Sequence, residues 1–339
     1  MRLLTERVKA ERSFDSRKLY DGTANTLLLA NINLWGLNAH FLTNGGGAIH
    51  WAENIFPYDD AYALAKGEPK AFVINETGAG YAALGYRLLG GGIAVCDATT
   101  GGAVDMVNSP IGDAKFHSIP AAFFCALSPE LSRGLGVLQD TSEDGLNSVG
   151  VVKARLGEEG IIVINKTYLG NSSKFEEALY KLQNRLRDSK PCAIMYDPDV
   201  MKEELPWIEV PWINRPQEYD KRSLDELVSN FARKTNGKRV VLFVGEEAIR
   251  YERIRELTTQ LARMLKAPTI YTQIGVSAVS PQNEYAAGHV MLGYNDYPLK
   301  LWKSLTTNDT VVCIGFDPFE YSTNQDIVEA NGVVISNYN

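Results

Sequence analysis

The stretch that decides the fold is residues 71–87, which read AFVINETGAGYAALGYR. Its first four residues, Ala71 to Ile74, form a short apolar run typical of a buried strand. From Glu76 onwards, small and apolar residues favour a helix. Open α/β sheets bind ligands at the carboxyl ends of their strands, which is where this carboxylate is expected to lie. Glu76 is therefore the first candidate for a functional residue.

The same alternation of strand and helix patterns continues on both sides of this stretch. We expect helices at Thr26–Trp35 and Lys174–Asp188, in addition to the one that begins at Glu76. The expected strands are uniformly apolar, as in a parallel sheet that is covered on both faces. They are Ala39–Thr43, Ala71–Ile74, Ile93–Cys96, Ala121–Ala126 and Cys192–Tyr196.

A second strand-and-helix pattern begins near residue 238. Apolar runs at 238–245, 267–271, 309–315 and 332–336 alternate with an amphipathic helix around 254–265. Before it, prolines and tryptophans interrupt regular structure in residues 201–236, and we expect a linker anchored to a surface by Trp207 and Trp212. The predicted fold class is α/β, with two doubly wound domains of mainly parallel strands: domain 1–200, linker 201–236 and domain 237–339.

Composition excludes several classes of protein. The net charge of −7 argues against a nucleic-acid binder, which usually carries a basic surface. No run approaches the roughly 18 apolar residues of a membrane helix, and the charged N-terminus shows no apolar signal segment. Four singly spaced cysteines are typical of reduced thiols in strands: Cys96, Cys125, Cys192 and Cys313. We expect a cytoplasmic protein without a membrane or nucleic-acid partner.

The stretch that begins at Asn75 resembles the glutamate helix of the pyrimidine-binding (PYR) domain of thiamine-diphosphate (ThDP) enzymes. That helix is written roughly His-Glu-x-x-Ala-x-x-x-Ala-x-Gly-Tyr-Ala-Arg, and the matching residues are Glu76, Ala79, Ala83, Gly85 and Tyr86. Arg87 falls one position early. The resemblance implies that Glu76 hydrogen-bonds N1′ of the aminopyrimidine ring and so favours the imino tautomer, whose N4′ serves as the internal base.

Further landmarks of the acetolactate-synthase/pyruvate-decarboxylase group recur in order along nearly the whole chain. They are the Gly-rich turn 44–47, which lacks the family's proline, the turn 99–103, the stretch 113–120, the loop 138–140, the segment 196–200 and the central-domain segments 240–245, 267–269 and 308–315. The resemblance implies a PYR fold followed by a Rossmann-like central domain. It also implies that glycines let the backbone approach the pyrimidine ring. The expected cofactor contacts are Glu76, Asn44, Gly45, Gly46, Thr100, Gly101 and Gly102.

Three further polar residues are expected near the substrate. His50 follows the Gly-rich turn, although its alternation with Trp51 fits simple packing equally well. His117 precedes a strand, and we expect it on the carboxyl-edge side of the sheet. Gln139 matches the Phe-Gln-Glu loop that reaches substrate in acetolactate-synthase relatives. With Glu76, these residues form the predicted catalytic set, whereas His40 is expected to be structural.

The other half of a ThDP site is missing from the sequence. Relatives hold Mg²⁺, a hard ion that prefers oxygen ligands, with Gly-Asp-Gly and a later asparagine, and Gly-Asp-Gly does not occur here. The nearest stretch, Gly112-Asp113-Ala114, does not follow an apolar strand, so we predict no metal ligand in this chain. The chain ends about where the central domain should finish. Either this sequence is part of a longer chain, or a separate subunit carries the PP domain with Gly-Asp-Gly and Mg²⁺. We expect the second, in a heterotetramer or larger assembly.

The predicted function is that of a PYR-domain subunit in a heteromeric ThDP-dependent lyase or transferase. It would decarboxylate a pyruvate-like 2-oxo acid and then transfer the acyl unit, as a carboligase does, or release an aldehyde. Five small residues are expected to let the Glu76 helix pack closely against a mate in the partner: Gly78, Ala79, Gly80, Ala82 and Ala83.

Two alternatives remain open. The first is a non-catalytic assembly subunit with the same fold. It is favoured by the departures in the glycine turns and opposed by the retention of Glu76. The second is an NAD(P)-binding oxidoreductase, because Gly78-Ala-Gly80-Tyr-Ala-Ala83 fits G-x-G-x-x-A and Asp97 ends the next strand. Glu76 opposes that reading, since it puts a carboxylate where a pyrophosphate would bind.

Overall fold

The computed structural model describes residues 14–43, 45–55, 68–132, 139–213, 221–251, 253–290, 296–316 and 331–335. The chain divides into two compact units, Met1–Asn214 and Arg215–Asn339. Each unit is built on one parallel sheet, which confirms the predicted α/β fold class. No helix in the described ranges is both long and apolar enough to span a membrane.

The first unit contains six strands and six α-helices in its described residues. The strands are β1 (Ala39–Leu42), β2 (Lys70–Val73), β3 (Val95–Ala98), β4 (Ala122–Ala126), β5 (Ile161–Ile164) and β6 (Cys192–Tyr196). The helices are α1 (Ala24–Leu34), α2 (Ile49–Ala52), α3 (Glu76–Leu88), α4 (Gly102–Phe116), α5 (Ser148–Leu156) and α6 (Ser172–Arg187). The sheet order is β2-β1-β3-β4-β6-β5. The chain adds β2 on one side of β1 and then continues with β3 on the other side, so the topological switch point lies between β1 and β3. Such a switch point opens a ligand crevice at the carboxyl ends of its strands.

The two faces of this sheet are covered by different helices. Phe124 and Ile194 lie in a core cluster with residues of α1 and α6. Phe123, which points to the opposite face because side chains alternate along a strand, lies close to Gly80 of α3 and Pro110 of α4. The crevice at the switch point therefore has α3 on one face and α1 on the other.

The second unit repeats the pattern with five parallel strands in its described residues. They are β7 (Val240–Val244), β8 (Thr269–Tyr271), β9 (Ala286–His289), β10 (Thr310–Ile314) and β11 (Asn331–Ile335), in the order β11-β10-β7-β8-β9. The helices are α7 (Lys221–Thr235), α8 (Ile254–Leu265) and α9 (Asp296–Lys303). Arg239 precedes β7 and binds Asp309, which precedes β10, through two hydrogen bonds of 2.8 and 2.7 Å.

The segment predicted as a linker is shorter than expected. Helix α7 occupies residues that were expected to be irregular. Phe231 packs against the core of the second unit, whereas Leu224 and Leu227, at helical spacing from it, are exposed. The extended stretch before it is anchored as predicted. Trp207 packs against Tyr20 with ring centroids 5.3 Å apart, and Trp212 packs against Trp35 at 6.0 Å.

Candidate functional site

Glu76 is the first residue of α3 and follows the end of β2 by three positions. The Asn75 side chain caps the helix by accepting a hydrogen bond from the Gly78 amide at 2.8 Å. The carboxylate is half-buried and lies within electrostatic range of Cys96 on β3. Burial is the main reason why the pKa of that thiol is raised, and Cys125, Asp97 and Glu76 add to the effect. Glu76 thus lies at the carboxyl edge of the sheet and reaches toward β3.

Two turns meet at the same edge. Gly47, in the turn after β1, donates its amide to Thr99 Oγ1 at 3.2 Å, and Thr99 follows β3 directly. The Gly47 carbonyl accepts a hydrogen bond from Tyr196 at the end of β6, at 3.3 Å. A Cβ atom on Gly47 would overlap Thr100 and Ala126. The turn after β1 therefore needs glycine here in order to pack on the turn after β3.

Gln139 is brought to the second turn. Gly101 has φ +84°, and a Cβ atom there would overlap the Gln139 side chain. The Gln139 carbonyl accepts a hydrogen bond of 2.6 Å from Ser128 Oγ, two residues beyond β4. The predicted residues Gly45, Gly46, Thr100, Gly101, Gly102 and Gln139 therefore lie at one end of neighbouring strands, whereas the predicted contact Asn44 lies outside the described residues.

The backbone of this edge is partly open. None of the described residues lies within 4 Å of an ideal Cβ atom on Gly46 or on Gly102, so in this part of the chain a flat ring can approach both positions. Among the described residues, Glu76 has no hydrogen-bond or ion-pair partner. A half-buried carboxylate without a partner in these residues, at the same edge of the sheet as bare glycine backbone, fits the aminopyrimidine ring of ThDP.

The two predicted histidines lie in different places. His50 belongs to α2, just after the Gly-rich turn, and its half-exposed ring lies 3.9 Å from Glu53. Its carbonyl accepts hydrogen bonds from Asn25 at 2.7 Å and Asn54 at 2.9 Å, which fix α2 beside the turn. A substrate contact for His50 stays a prediction.

His117 does not lie at the carboxyl edge, so that prediction is wrong. It ends α4, whose 15 residues carry the chain about 22 Å from one edge of the sheet to the other. The chain then enters β4, where the Ala122 amide bonds to Ala94, the residue before β3. His117 therefore belongs to the amino-end side of the strands, opposite to Gly101.

The small residues of α3 mostly serve the fold of this chain. Ala79, Gly80 and Ala83 are buried, and a Cβ atom on Gly80 would overlap Pro110 of α4. The expectation that these residues contact a mate in another subunit is therefore corrected. Only Gly78 and Ala82 among the small residues named for that role remain partly exposed.

The dinucleotide alternative is opposed by the same contacts. The Gly78 amide is already bound by Asn75, and Gly80 faces Pro110, so neither glycine is free to bind a pyrophosphate. Asp97, which would have to reach a ribose, is fully buried between His40 and Trp51. Burial raises the pKa of Asp97, and its contacts with His40 and Trp51 oppose that rise.

Sequence reasoning missed the group around Asp97. A carboxylate inside the otherwise apolar strand Val95–Ala98 was the available signal, because charged residues are seldom fully buried without a partner.

As for metals, no cluster of three His, Cys, Asp or Glu side chains suitable for an ion occurs in the part of the chain that the structure describes. Asp113 lies inside α4 and not in a loop.

Comparison with known proteins supports the resemblance to the acetolactate-synthase group. No family model matches the chain. It is 25% identical over 239 residues to the acetolactate synthase large subunit of Corynebacterium glutamicum, which covers 68% of this chain and 35% of that protein. It is also 25% identical over 226 residues to the acetolactate synthase of Mycobacterium bovis, with 64% and 34% covered. The chain thus spans about a third of the length of these relatives, and the similarity agrees with the family that its motifs indicate.

Proposed function

We propose that this chain supplies the PYR side of a ThDP site in a heteromeric enzyme. The observation that carries the proposal is the meeting of Glu76, the open glycine backbone at Gly46 and Gly102, and Gln139 at one sheet edge. The similarity to acetolactate synthases supports the same family. The enzyme would be a ThDP-dependent lyase or transferase that decarboxylates a pyruvate-like 2-oxo acid.

Each residue of the edge has a defined part in this proposal. When bound, ThDP supplies the electron sink that decarboxylation of a 2-oxo acid requires. Glu76 holds a proton at N1′ of the aminopyrimidine ring, and the backbone at Gly46 and Gly102 lines that ring. Gln139 would contact the substrate, as its match to the family's Phe-Gln-Glu loop implies, and such a contact favours transfer of the acyl unit to an acceptor over release of an aldehyde.

The proposal includes a second subunit. The sequence contains no Gly-Asp-Gly, and Mg²⁺ needs several oxygen ligands beside the diphosphate. A PP-domain subunit that carries this motif would hold Mg²⁺ and the diphosphate end of ThDP. The active form would then be a heterotetramer or a larger assembly in which each ThDP lies between unlike chains.

Glu76→Gln tests the catalytic part of the proposal. The amide keeps the size of the side chain but cannot exchange a proton with N1′, so we expect turnover of pyruvate by the assembled enzyme to fall about 10²- to 10⁴-fold. Glu176→Gln on the exposed face of α6 is the matched control and should retain full turnover. Full turnover by Glu76→Gln would refute the catalytic role and favour a non-catalytic assembly subunit.

A further inference from the structure

A buried polar trio, formed by His40, Asp97 and Trp51, lies beneath the two turns of the candidate site. All three side chains are essentially inaccessible to solvent. The Trp51 indole Nε1–H donates a hydrogen bond to His40 Nδ1 at 3.2 Å, and Asp97 Oδ2 lies 3.4 Å from the same ring nitrogen. His40 and Asp97 share one face of the sheet, because His40 pairs with Val95 and Leu42 pairs with Asp97 in register.

Each member of the trio belongs to a different segment that frames the turns. His40 lies on β1, which leads into the Gly-rich turn, and Trp51 lies on α2, which follows that turn. Asp97 lies on β3, two residues before Thr99. The backbone at the two turns is also joined directly, since the Thr43 amide donates to the Asp97 carbonyl at 3.3 Å. The trio therefore ties together the entry and exit of the first turn and the entry of the second.

Stability alone does not explain polar residues at these positions. Apolar contacts are already supplied by the rings, because Trp51 packs edge-on against Phe124 at 4.7 Å between centroids. Asp97 Oδ1 and His40 Nε2 are buried and have no hydrogen-bond partner among the residues that the structure describes. An incompletely satisfied network is less stable than an apolar core of the same shape. What the polar contacts add is direction, because a hydrogen bond fixes the angle between its partners as well as their distance.

We propose that the polar trio is a positioning device, which holds the turn 45–47 against the turn 99–101 in the arrangement that the candidate site needs. This inference rests on the proposed function in one respect, namely that these turns line the aminopyrimidine ring. His40, Asp97 and Trp51 touch neither cofactor nor substrate. They act through the contact between the Gly47 amide and the Thr99 hydroxyl.

Amide hydrogen exchange on the full chain tests the trio without any cofactor. Asp97→Ala removes the carboxylate, and we expect amides 45–51 to exchange at least about tenfold faster while β5 stays protected. The melting temperature should change by only a few degrees, because the substitution also removes a buried acid. Asp97→Asn keeps a hydrogen-bonding group and should restore most of the protection. Cys192→Ala, an equally buried truncation on β6, should leave amides 45–51 unchanged.

Two outcomes would overturn the inference. One is unchanged exchange at 45–51 in Asp97→Ala. The other is faster exchange in every strand together with a large fall in melting temperature, which would show a general structural role. Should Asp97→Ala fail to fold, Trp51→Phe provides a second test, because it keeps a six-membered aromatic ring while it removes the indole N–H and the five-membered ring that carries it.

Titration with ThDP then separates this inference from the proposed function. In the assembled enzyme with Mg²⁺, Asp97→Ala should weaken ThDP binding at least about tenfold, and Cys192→Ala should not. If the turns loosen as expected but the unsubstituted assembly never binds ThDP, the positioning role stands and the proposed function fails. If the unsubstituted assembly binds ThDP and Asp97→Ala binds it equally well, the positioning role fails and the proposed function stands.

Discussion

At the residue scale, the glycines of the candidate site differ in what surrounds the position where a Cβ atom would be. At some glycines a neighbouring side chain occupies that position, and at others the position is open. Gly101 has φ +84° and lies against Gln139, whereas Gly102 is the first residue of α4 and has nothing within 4 Å of its Cβ position. The first glycine therefore serves the fold, and the second leaves room for a ligand. Two adjacent glycines, Gly101 and Gly102, thus have different roles, one in the fold and one in the candidate site.

Alanine at these two positions should give opposite patterns. Gly101→Ala introduces strain at positive φ and an overlap with Gln139, so we expect a loss of about 1–3 kcal/mol in unfolding free energy. Gly102→Ala should leave stability unchanged or slightly raised, because alanine favours a helix. In the assembled enzyme, however, its methyl group should weaken ThDP binding. Urea unfolding and titration of both variants check this, and tight ThDP binding by Gly102→Ala would contradict the proposed position of the ring.

At the element scale, α3 sets the position of Glu76 through its contact with α4. Gly80 lets the two helices approach so closely that Pro110 occupies the place of a side chain, and Tyr81 and Ser109 share a hydrogen bond of 2.9 Å beside it. Asn75 fixes where the helix begins. The direction of the Glu76 side chain therefore depends on one cap and one close crossing.

Two glycines of α3 make a matched pair for testing this crossing. Gly80→Ala should lower the unfolding free energy by about 1–3 kcal/mol, because its methyl group overlaps the rigid Pro110 ring. Gly85→Ala should raise it by about 0.5–1 kcal/mol, since nothing lies near its Cβ position and alanine favours a helix. Denaturation midpoints measure both effects. A Gly80→Ala variant as stable as Gly85→Ala would show that the helices can separate at little cost.

The sequence was informative for elements with a clear pattern. β4, β6, β7 and β10 are continuous apolar runs, and the cap and small residues of α3 follow the strand β2 directly. Helix α4 was missed because it begins with glycines and contains Pro110, which by local propensity breaks a helix. The contact with Gly80 compensates for that proline, and it links residues that are distant in sequence. The wrong position of His117 followed from missing α4.

The polar trio could not be predicted either, again because its contacts join residues that are distant in sequence. Asp97 was considered only as the end of a strand in the dinucleotide alternative, and its partner His40 is 57 residues away in sequence. Only the parallel register of β1 and β3 brings the two residues together. Strand positions follow from local patterns, whereas contacts between strands require the sheet order.

At the scale of the whole molecule, the chain combines two parallel α/β units, each with its own core. The second unit is held at the start of β7 and β10 by Arg239 and Asp309. The hydrogen bond from Arg239, followed by those from Thr306, lowers the pKa of Asp309 to about 2. A carboxyl with a lowered pKa stabilises the fold above its usual value near 4, and this contribution is lost as the pH falls from about 4 to 2.

Asp309→Asn should therefore reduce stability in a pH-dependent way. At pH 7 we expect the second unit to lose about 1–2 kcal/mol, a value kept small because Arg239 is partly exposed. The difference from the parent should shrink as the pH approaches 2. Amide exchange of β7 and β10 in urea at several pH values measures it. Glu256→Gln, which removes an exposed ion pair with Arg253, is the control and should show no such trend.

The central claim is that this chain holds one half of a ThDP site, and calorimetric titration of ThDP with Mg²⁺ tests it most directly. The titration is run on the chain alone, on the chain mixed with a PP-domain subunit that carries Gly-Asp-Gly, and on that mixture with Glu76→Gln. Our account predicts saturable binding only when both subunits are present, and weaker binding with Glu76→Gln. Absence of ThDP binding by the complete mixture, together with saturable binding of NAD by this chain, would contradict it.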